Sequence, residues 1–311
     1  MNIFLALLAI ILLFIMLGYG ADLVVLNLRQ IGNKLGLKVF FLGIVLGLFT
    51  SLPEMSVGIN SIAEKIPEIS AGTLFGGILV IIGLILGTSL MLHREIKTDG
   101  EFKSLLSLSF LLLLPILLSL DGILSIYDGF IMIGAYLLLI WFFYLKNKSP
   151  ELPMLEIVDR QIVAKELFLM VAGFVLLVVS SGLIVRLTRY LLDIFHVSPF
   201  IIGLLVFSLG TNLPEITVSL KAWRKKSSEL SVSNLMGSAA ANVFILGVVC
   251  SLAPMNILLN KEYFLLALTF VIIITMFGIF YRTGKKMTAK EGACLSAVYF
   301  IFIFLQYSLL F

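Results

Sequence analysis

Ten stretches of the chain are apolar over the length a helix needs to cross a bilayer: 3 to 24, 39 to 62, 69 to 92, 104 to 120, 123 to 145, 166 to 187, 199 to 222, 230 to 252, 260 to 281 and 290 to 310. A spanning helix takes about 20 mostly apolar residues, so these runs use nearly all of the 311 residues. With 60% hydrophobic and only 13% charged residues, the chain carries more apolar surface than one water-soluble core of this size hides. The predicted fold class is an all-α polytopic membrane protein of ten transmembrane helices, with no sizeable soluble domain. The runs are continuous rather than alternating, which excludes a membrane β-barrel. The first run lacks the basic leader and small-residue cleavage site of a signal peptide and is read as a helix.

The charges point the same way. All 22 Lys and Arg residues fall in the nine connections or at adjoining helix ends, 18 in the odd-numbered connections and 4 in the even-numbered ones. By the positive-inside rule the odd connections are cytoplasmic, so both termini face outward from a multi-pass cell (inner) membrane protein. The net charge of +4 is therefore topological and implies no nucleic-acid partner. The partner it does imply is the lipid bilayer, and no obligate protein partner is evident. The longest connection, 146–165, is polar, holds two prolines and is placed in the cytoplasm. It divides the chain into a first five-helix repeat, 1–145, and a second, 166–311. Five spans per half bring the second half in from the opposite face, so similarity between the halves means an inverted repeat.

That similarity is present. Thr50-Ser51-Leu52-Pro53-Glu54 recurs as Thr211-Asn212-Leu213-Pro214-Glu215, and at a constant offset of 161 ten of the 27 positions from 50 to 76 are identical. Chance gives about two in so biased a composition. Each copy covers the second helix of its half, the following turn and the start of the third. The two motifs thus approach from opposite leaflets and meet near the bilayer middle, where inverted-repeat transporters bind substrate.

Within a helix, proline removes a donor and crowds the carbonyl four residues earlier, so Pro53 and Pro214 are expected to free the carbonyls of Phe49 and Gly210. Irregular backbone at this depth is tolerated only where it is buried in protein or lines a wet cavity. Beside each break stand a carboxylate and hydroxyls: Glu54 with Thr50 and Ser51, and Glu215 with Thr211. An ionised side chain at the bilayer centre costs about 3 kcal/mol even on lenient scales. No Lys or Arg lies in the apolar parts of these two spans, so the simplest countercharge is a mobile cation. Two carboxylates with carbonyl and hydroxyl oxygens supply the six to eight hard ligands, roughly, that Ca²⁺ prefers. The soft ligands are few and badly placed: His93 and His196 sit at helix ends, and Cys250 and Cys294 read as small packing residues. Asp22 reads as structural, and Asp121 and Asp128 as solvated residues flanking an outer turn. No cofactor is implied.

These copies resemble the alpha-repeats of the sodium/calcium exchanger family, in the cation/calcium antiporter superfamily. That family carries Gly-Thr-Ser-Leu-Pro-Glu on its second and seventh helices, followed on the third and eighth by Gly-Asn-x-x-Gly-Ser-Asn-Ile-x-Asn/Asp. The resemblance implies a secondary antiporter that exchanges Ca²⁺ for Na⁺ by alternating access, the first and sixth helices sliding across a fixed core. It makes Glu54 and Glu215 the carboxylates shared by the two ions, with Thr50, Ser51, Thr211, Asn212 and Ser238 supplying flanking oxygens. The chain departs from the pattern at Phe49, where the family has Gly, at Gly77, where it has Ser, and at Ile81, where it has Asn or Asp. On the eighth helix the closing residue is the neutral Asn242. The central charge is then about −2, matched by one Ca²⁺, two monovalent ions or two protons. Fewer Na⁺ per cycle, or coupling to protons, is the expectation.

Rival functions fare worse on the residues. An intramembrane enzyme needs a proximal acid pair on facing helices or a Ser or metal site with His, and the histidines lie at the wrong depth. A cation channel also uses carboxylates and carbonyls, but inverted repeats with broken helices favour a carrier. Ca²⁺/H⁺ exchange is the alternative among carriers.

Overall fold

The computed structural model describes residues 3–34, 48–98, 102–146, 160–195, 197–224, 229–282 and 286–309. Helices dominate because long apolar runs must satisfy their backbone polar groups internally. In chain order they are α1 (Ile3–Lys34), α2 (Leu52–Ala63) and α3 (Glu68–Leu79). From α3 the chain runs through a π-helical turn, Val80–Leu86, into α4 (Gly87–His93). Next come α5 (Phe102–Leu118), α6 (Ile126–Lys146) and α7 (Arg160–Phe195). A short α8 (Pro199–Ile202) passes through a second π-turn, Gly203–Phe207, into α9 (Ser208–Thr211) and, after a break, α10 (Leu213–Arg224). The chain closes with α11 (Glu229–Leu252), α12 (Lys261–Arg282) and α13 (Ala289–Leu309).

Seven helices among the described residues are long and apolar enough to cross a membrane: Ile3–Ile31, Glu68–His93, Ile126–Leu145, Ala164–Phe195, Asn234–Leu252, Lys261–Arg282 and Ala289–Leu309. Two shorter apolar helices, Leu105–Asp121 and Pro199–Thr211, add to these. The predicted run 39 to 62 falls partly outside the described residues, and its described part is helical on either side of a turn at Ser51. Most of the 146–165 connection likewise lies outside them, and α7 already begins at Arg160, inside the stretch expected to be loop. Both α1 and α7 outrun their apolar stretches, because hydropathy measures the thickness of the bilayer while helix propensity continues through residues such as Arg and Gln.

The long body Glu68–His93 is 94% buried over its spanning window, whereas Ile3–Ile31 is 28% buried. The first is the centre of the molecule and the second lies at its rim. Around the central body a large apolar core joins residues of α5, α6, α11, α12 and α13. A second, separate core forms where Ala6, Ile10, Phe14 and Leu17 of α1 meet Leu177, Ile184 and Val185 of α7. The α1–α7 crossing is close because Gly20 and Gly173 face each other; a Cβ on Gly20 would stand 2.9 Å from the Gly173 carbonyl oxygen. Large apolar side chains such as Phe4, Trp141, Phe168 and Phe304 cover the outside, as lipid-facing surface requires.

Several devices recur in exchanged form between the halves. A capping box opens α6, with the Ser125 N–H donating to Asp128 Oδ2 at 2.8 Å, and another opens α13, with the Thr288 N–H donating to Glu291 Oε2 at 2.6 Å. Asp128, expected to be solvated, is thus a helix cap. Glycines allow α6 to touch α11 and α13 to touch α4. A Cβ on Gly129 would lie 2.6 Å from the Gly247 carbonyl oxygen, and one on Gly292 would lie 2.5 Å from that of Gly87. Two short antiparallel ladders clip the ends together, Glu95–Lys97 with Lys286–Thr288 and Ile123–Leu124 with Met255–Asn256.

Candidate cation site

Each motif interrupts its helix in the same manner. Ser51 sits at φ −93°, ψ 16° and Asn212 at φ −85°, ψ 10°, both off the helical basin. The helix restarts one residue later with the same first bond, Met55 N–H to Ser51 O and Ile216 N–H to Asn212 O, each 3.1 Å. Proline explains the restart: Pro53 and Pro214 have no N–H to give, so they are tolerated in a first helical turn and nowhere deeper. In the second copy the Gly210 carbonyl, expected to be free, takes the Asn212 N–H across the break. The ring of Phe14, from α1, lies against Gly210.

One turn past the breaks stand Glu54 and Glu215, only 2% and 3% exposed, and near enough to each other to interact electrostatically. Their flanking groups cross between the copies. The Thr211 hydroxyl is 3.0 Å from the Phe207 carbonyl and also within hydrogen-bonding range of Glu54. The Ser238 hydroxyl lies 3.5 Å from Glu215 Oε1 and 3.3 Å from Thr50 Oγ1. The Thr211 proton thus faces two acceptors, whereas Ser238 can donate to Glu215 while accepting from the Thr50 hydroxyl. Ser51, Asn212 and Asn242 are buried around the same place, and Asn212 Nδ2 donates to the Ser208 carbonyl at 2.8 Å. Phe49 and Thr50 are half-buried and Gly210 is buried.

Among the described residues, four buried side-chain polar atoms of this cluster lack a hydrogen-bond partner: Glu54 Oε2, Glu215 Oε2, and both Nδ2 and Oδ1 of Asn242. Leaving a buried polar atom unpaired costs about 1–3 kcal/mol, and more for a charged one. Such a concentration in one place calls for an explanation, and a bound water or ion is one. The donor set is hard oxygen, from carboxylates, hydroxyls, an amide and backbone at two breaks. It fits a hard cation carried as substrate. Among the described residues no group of three or more His, Cys, Asp and Glu side chains could hold a metal; the cluster sets its two carboxylates among neutral oxygens.

The departures at the third helix are now physical. Gly77 faces the amides: a Cβ there would stand 2.6 Å from Asn242 Nδ2 and 3.3 Å from Asn212 Nδ2. Ile81 is buried at the start of the first π-turn. The α3 backbone reaches the broken helix through Gly72 and Gly203, where a Cβ on Gly72 would meet the Phe200 carbonyl and one on Gly203 the Ile69 carbonyl.

Outside the carboxylate pair, Asp22, within α1 and not at its end, lies within electrostatic range of Glu215. At the far end of α2, Glu64 meets Arg186 Nε at 2.7 Å, and its backbone carbonyl accepts from Arg189 Nη1 at 2.8 Å. The Arg186 guanidinium holds the Glu64 carboxyl below the usual range. Between this clamp and the site run Ser56, its hydroxyl 2.6 Å from that of Ser181, and Asn60, whose Nδ2 donates to Ser181 at 2.9 Å. Cys250 is buried as expected, whereas Cys294 is exposed on the outer face of α13. His93 is half-buried with Nδ1 2.9 Å from the Ser89 carbonyl. His196 falls outside the described residues.

A polytopic helical membrane protein in which two matched broken helices bring a buried carboxylate pair together belongs, by architecture, with ion transporters. The family model described as sodium/calcium exchanger protein matches residues 5–145 and 165–308, one segment on each side of the central connection, and the chain belongs to that family. It is 30% identical over 235 residues to an uncharacterized membrane protein of Methanocaldococcus jannaschii, covering 74% of this chain and 76% of that one. A solved structure of the sodium-calcium exchanger NCX_Mj, soaked with Na⁺ and Sr²⁺, superposes with a TM-score of 0.68 at 25% identity, covering 97% of this chain and 98% of its own. The H⁺/Ca²⁺ exchanger CAX shares the fold with a TM-score of 0.78 at 15% identity, covering 98% of this chain and 84% of its own.

Proposed function

We propose that this protein is a secondary active antiporter that moves Ca²⁺ in exchange for Na⁺ by alternating access, with Glu54 and Glu215 as the central cation ligands. The observation that carries the reading is the pair of buried carboxylates at matched helix breaks, each with an unpartnered oxygen. Thr50, Ser51, Thr211, Asn212, Ser238 and Asn242 complete the ligand set with the backbone of Phe49 and Gly210. The chain is arranged as ten spans in two inverted five-helix repeats, 1–145 and 166–311, joined by a cytoplasmic 146–165 connection, with both termini outside. Support for the inversion comes from the repeated break geometry, the two capping boxes and the exchanged glycine crossings. Alternating access then exposes the cation set to either side as the first and sixth spans slide across a fixed core.

Proton coupling is the second reading, since with Ile81 and Asn242 neutral the central pair Glu54 and Glu215 carries a charge of about −2 that two protons balance as well as two Na⁺. One Ca²⁺ then balances two Na⁺ or two protons, and three Na⁺ per Ca²⁺ would contradict this count. The test is ⁴⁵Ca²⁺ uptake by the reconstituted protein under an outward Na⁺ gradient and, separately, an outward H⁺ gradient. Uptake under Na⁺ alone, lost at least ~100-fold in Glu54→Gln and in Glu215→Gln, is the expected result, consistent with loss of a charged ligand to a bound ion worth roughly 3 kcal/mol or more. Uptake under H⁺ alone replaces Na⁺ by H⁺ as the driving ion, and uptake by either variant at the native rate rejects the site.

A further inference from the structure

We propose that Gly77 is a specificity-determining residue: its missing side chain gives the Asn242 amide its place over α3, and that amide favours a cation that takes many protein oxygens. This rests on the reading of the Glu54–Glu215 cluster as the cation site and adds what tunes it. Three observations carry it. Asn242 is buried with neither side-chain polar atom satisfied, so its amide is held by packing and not by hydrogen bonds. The surface it packs on is the bare backbone at Gly77, where a Cβ would come 2.6 Å from Nδ2, nearer than real Cβ atoms stand to a neighbour. One turn on, Ile81 is buried and apolar, so the first repeat offers no side-chain ligand of its own from positions 77 and 81.

The second repeat therefore reaches across. Where the family pattern puts a Ser and an Asn or Asp on both such helices, here Ser238 and Asn242 come from α11 alone, and the Asn242 amide faces the bare Gly77 backbone on α3. Asn212 shares that patch, its Nδ2 standing 3.3 Å from a Cβ at 77, but it is pinned by its bond to the Ser208 carbonyl. Asn242 is thus the side chain that a residue larger than glycine displaces. The neutral oxygen it supplies matters unequally among divalent ions. Ca²⁺ takes about six to eight oxygens in flexible geometry, whereas Mg²⁺ keeps several waters and asks for few protein ligands. Withdrawing one amide oxygen costs Ca²⁺ and leaves Mg²⁺ nearly untouched.

The experiment measures ⁴⁵Ca²⁺ binding to the full-length purified protein, with Mg²⁺ as competitor, in the native chain, Gly77→Ala, Asn242→Ala and the double variant. Gly134→Ala, on α6 with no described atom near its Cβ, serves as a control for added bulk. The expected result is a loss of at least tenfold in Ca²⁺ affinity in Gly77→Ala, with Mg²⁺ affinity changed less than threefold. In the Asn242→Ala background the same substitution should change Ca²⁺ affinity less than twofold. Native Ca²⁺ affinity in Gly77→Ala, equal losses for both ions, or equal losses in both backgrounds would overturn the proposal. If Gly77→Ala does not fold, recovery of monodisperse protein in the double variant supports the steric coupling and failure to recover it overturns it. Glu54→Gln and Glu215→Gln, run alongside, report separately on the site: undiminished Ca²⁺ binding there rejects the cation-site reading, whatever Gly77 does.

Discussion

The two motif copies share a backbone and differ in chemistry. At Ser51 and Asn212 the chain leaves the helix with dihedrals within 8° of each other and restarts it with bonds of equal length. The residues on the following helix are not alike: α11 contributes Ser238 and Asn242, while the first half offers Gly77 and Ile81 at the matching positions. Proline and the bilayer dictate the break, since any helix with a proline at this depth must rearrange its carbonyls in the same way. Nothing comparable holds the lining side chains symmetric, so Ser238 and Asn242 on α11 stand opposite Gly77 and Ile81 on the first half's corresponding stretch.

Three experiments strain this comparison. The largest effect is expected where the first half's third helix touches the second half's broken one. Gly72→Ala and Gly203→Ala each drive a methyl into a backbone carbonyl, and overpacking of this kind costs about 1–3 kcal/mol or more. Thermal unfolding of the purified protein should show both variants markedly destabilised; a native melting temperature in either would mean that α3 and the second π-turn do not pack so closely.

A smaller effect is expected from the hydroxyls. Ser238→Ala removes the only group placed between Glu215 and Thr50 among the described contacts, whereas Thr50→Ala leaves the Ser238 hydroxyl its carboxylate. A net hydrogen bond to a charged group is worth about 1.5–3 kcal/mol, so Ser238→Ala should weaken Ca²⁺ binding by roughly ten- to a hundredfold and Thr50→Ala distinctly less. Equal losses in binding isotherms would show that the two copies contribute alike after all.

The smallest concerns the exposed clamp of Glu64 with Arg186 and Arg189, which ties the end of α2 to α7. Its folded carboxyl is held below the ordinary value of 4.5, chiefly by the Arg186 bond. The stabilisation is therefore complete above that value and is lost as pH falls through the lowered folded one. The melting temperature of Glu64→Gln should lie slightly below native at pH 7, with the gap shrinking in acid and in high salt, because exposed pairs are screened. A gap that persists in acid would assign the effect to packing.

Much of the fold was legible in advance because hydropathy is a local property. Ile3–Ile31 and Glu68–His93 read as spans from their own residues, and a proline two positions past Ser51 or Asn212 announces a break without reference to any neighbour. Glu54 and Glu215 stood out for the same reason, since a carboxylate in an apolar run needs an explanation wherever the run packs. The π-turns at Val80–Leu86 and Gly203–Phe207 gave no such sign, because an extra residue in a helical turn changes no periodicity that a short run can display. Cys294 was misjudged because an apolar run shows what touches lipid or core without distinguishing the two.

By itself the sequence determined the apolar spans, the repeated break and the pair of acids, all of which follow from residues within a few positions of one another. Only the tertiary structure decided that Thr211 attends Glu54, that Ser238 bridges Glu215 to Thr50, that Asp22 comes within range of Glu215 and that Asn242 lies over Gly77. Those pairings join residues far apart in the chain. They depend on how rigid helices cross, which is set by where glycines let backbones approach, and no local pattern encodes that distance.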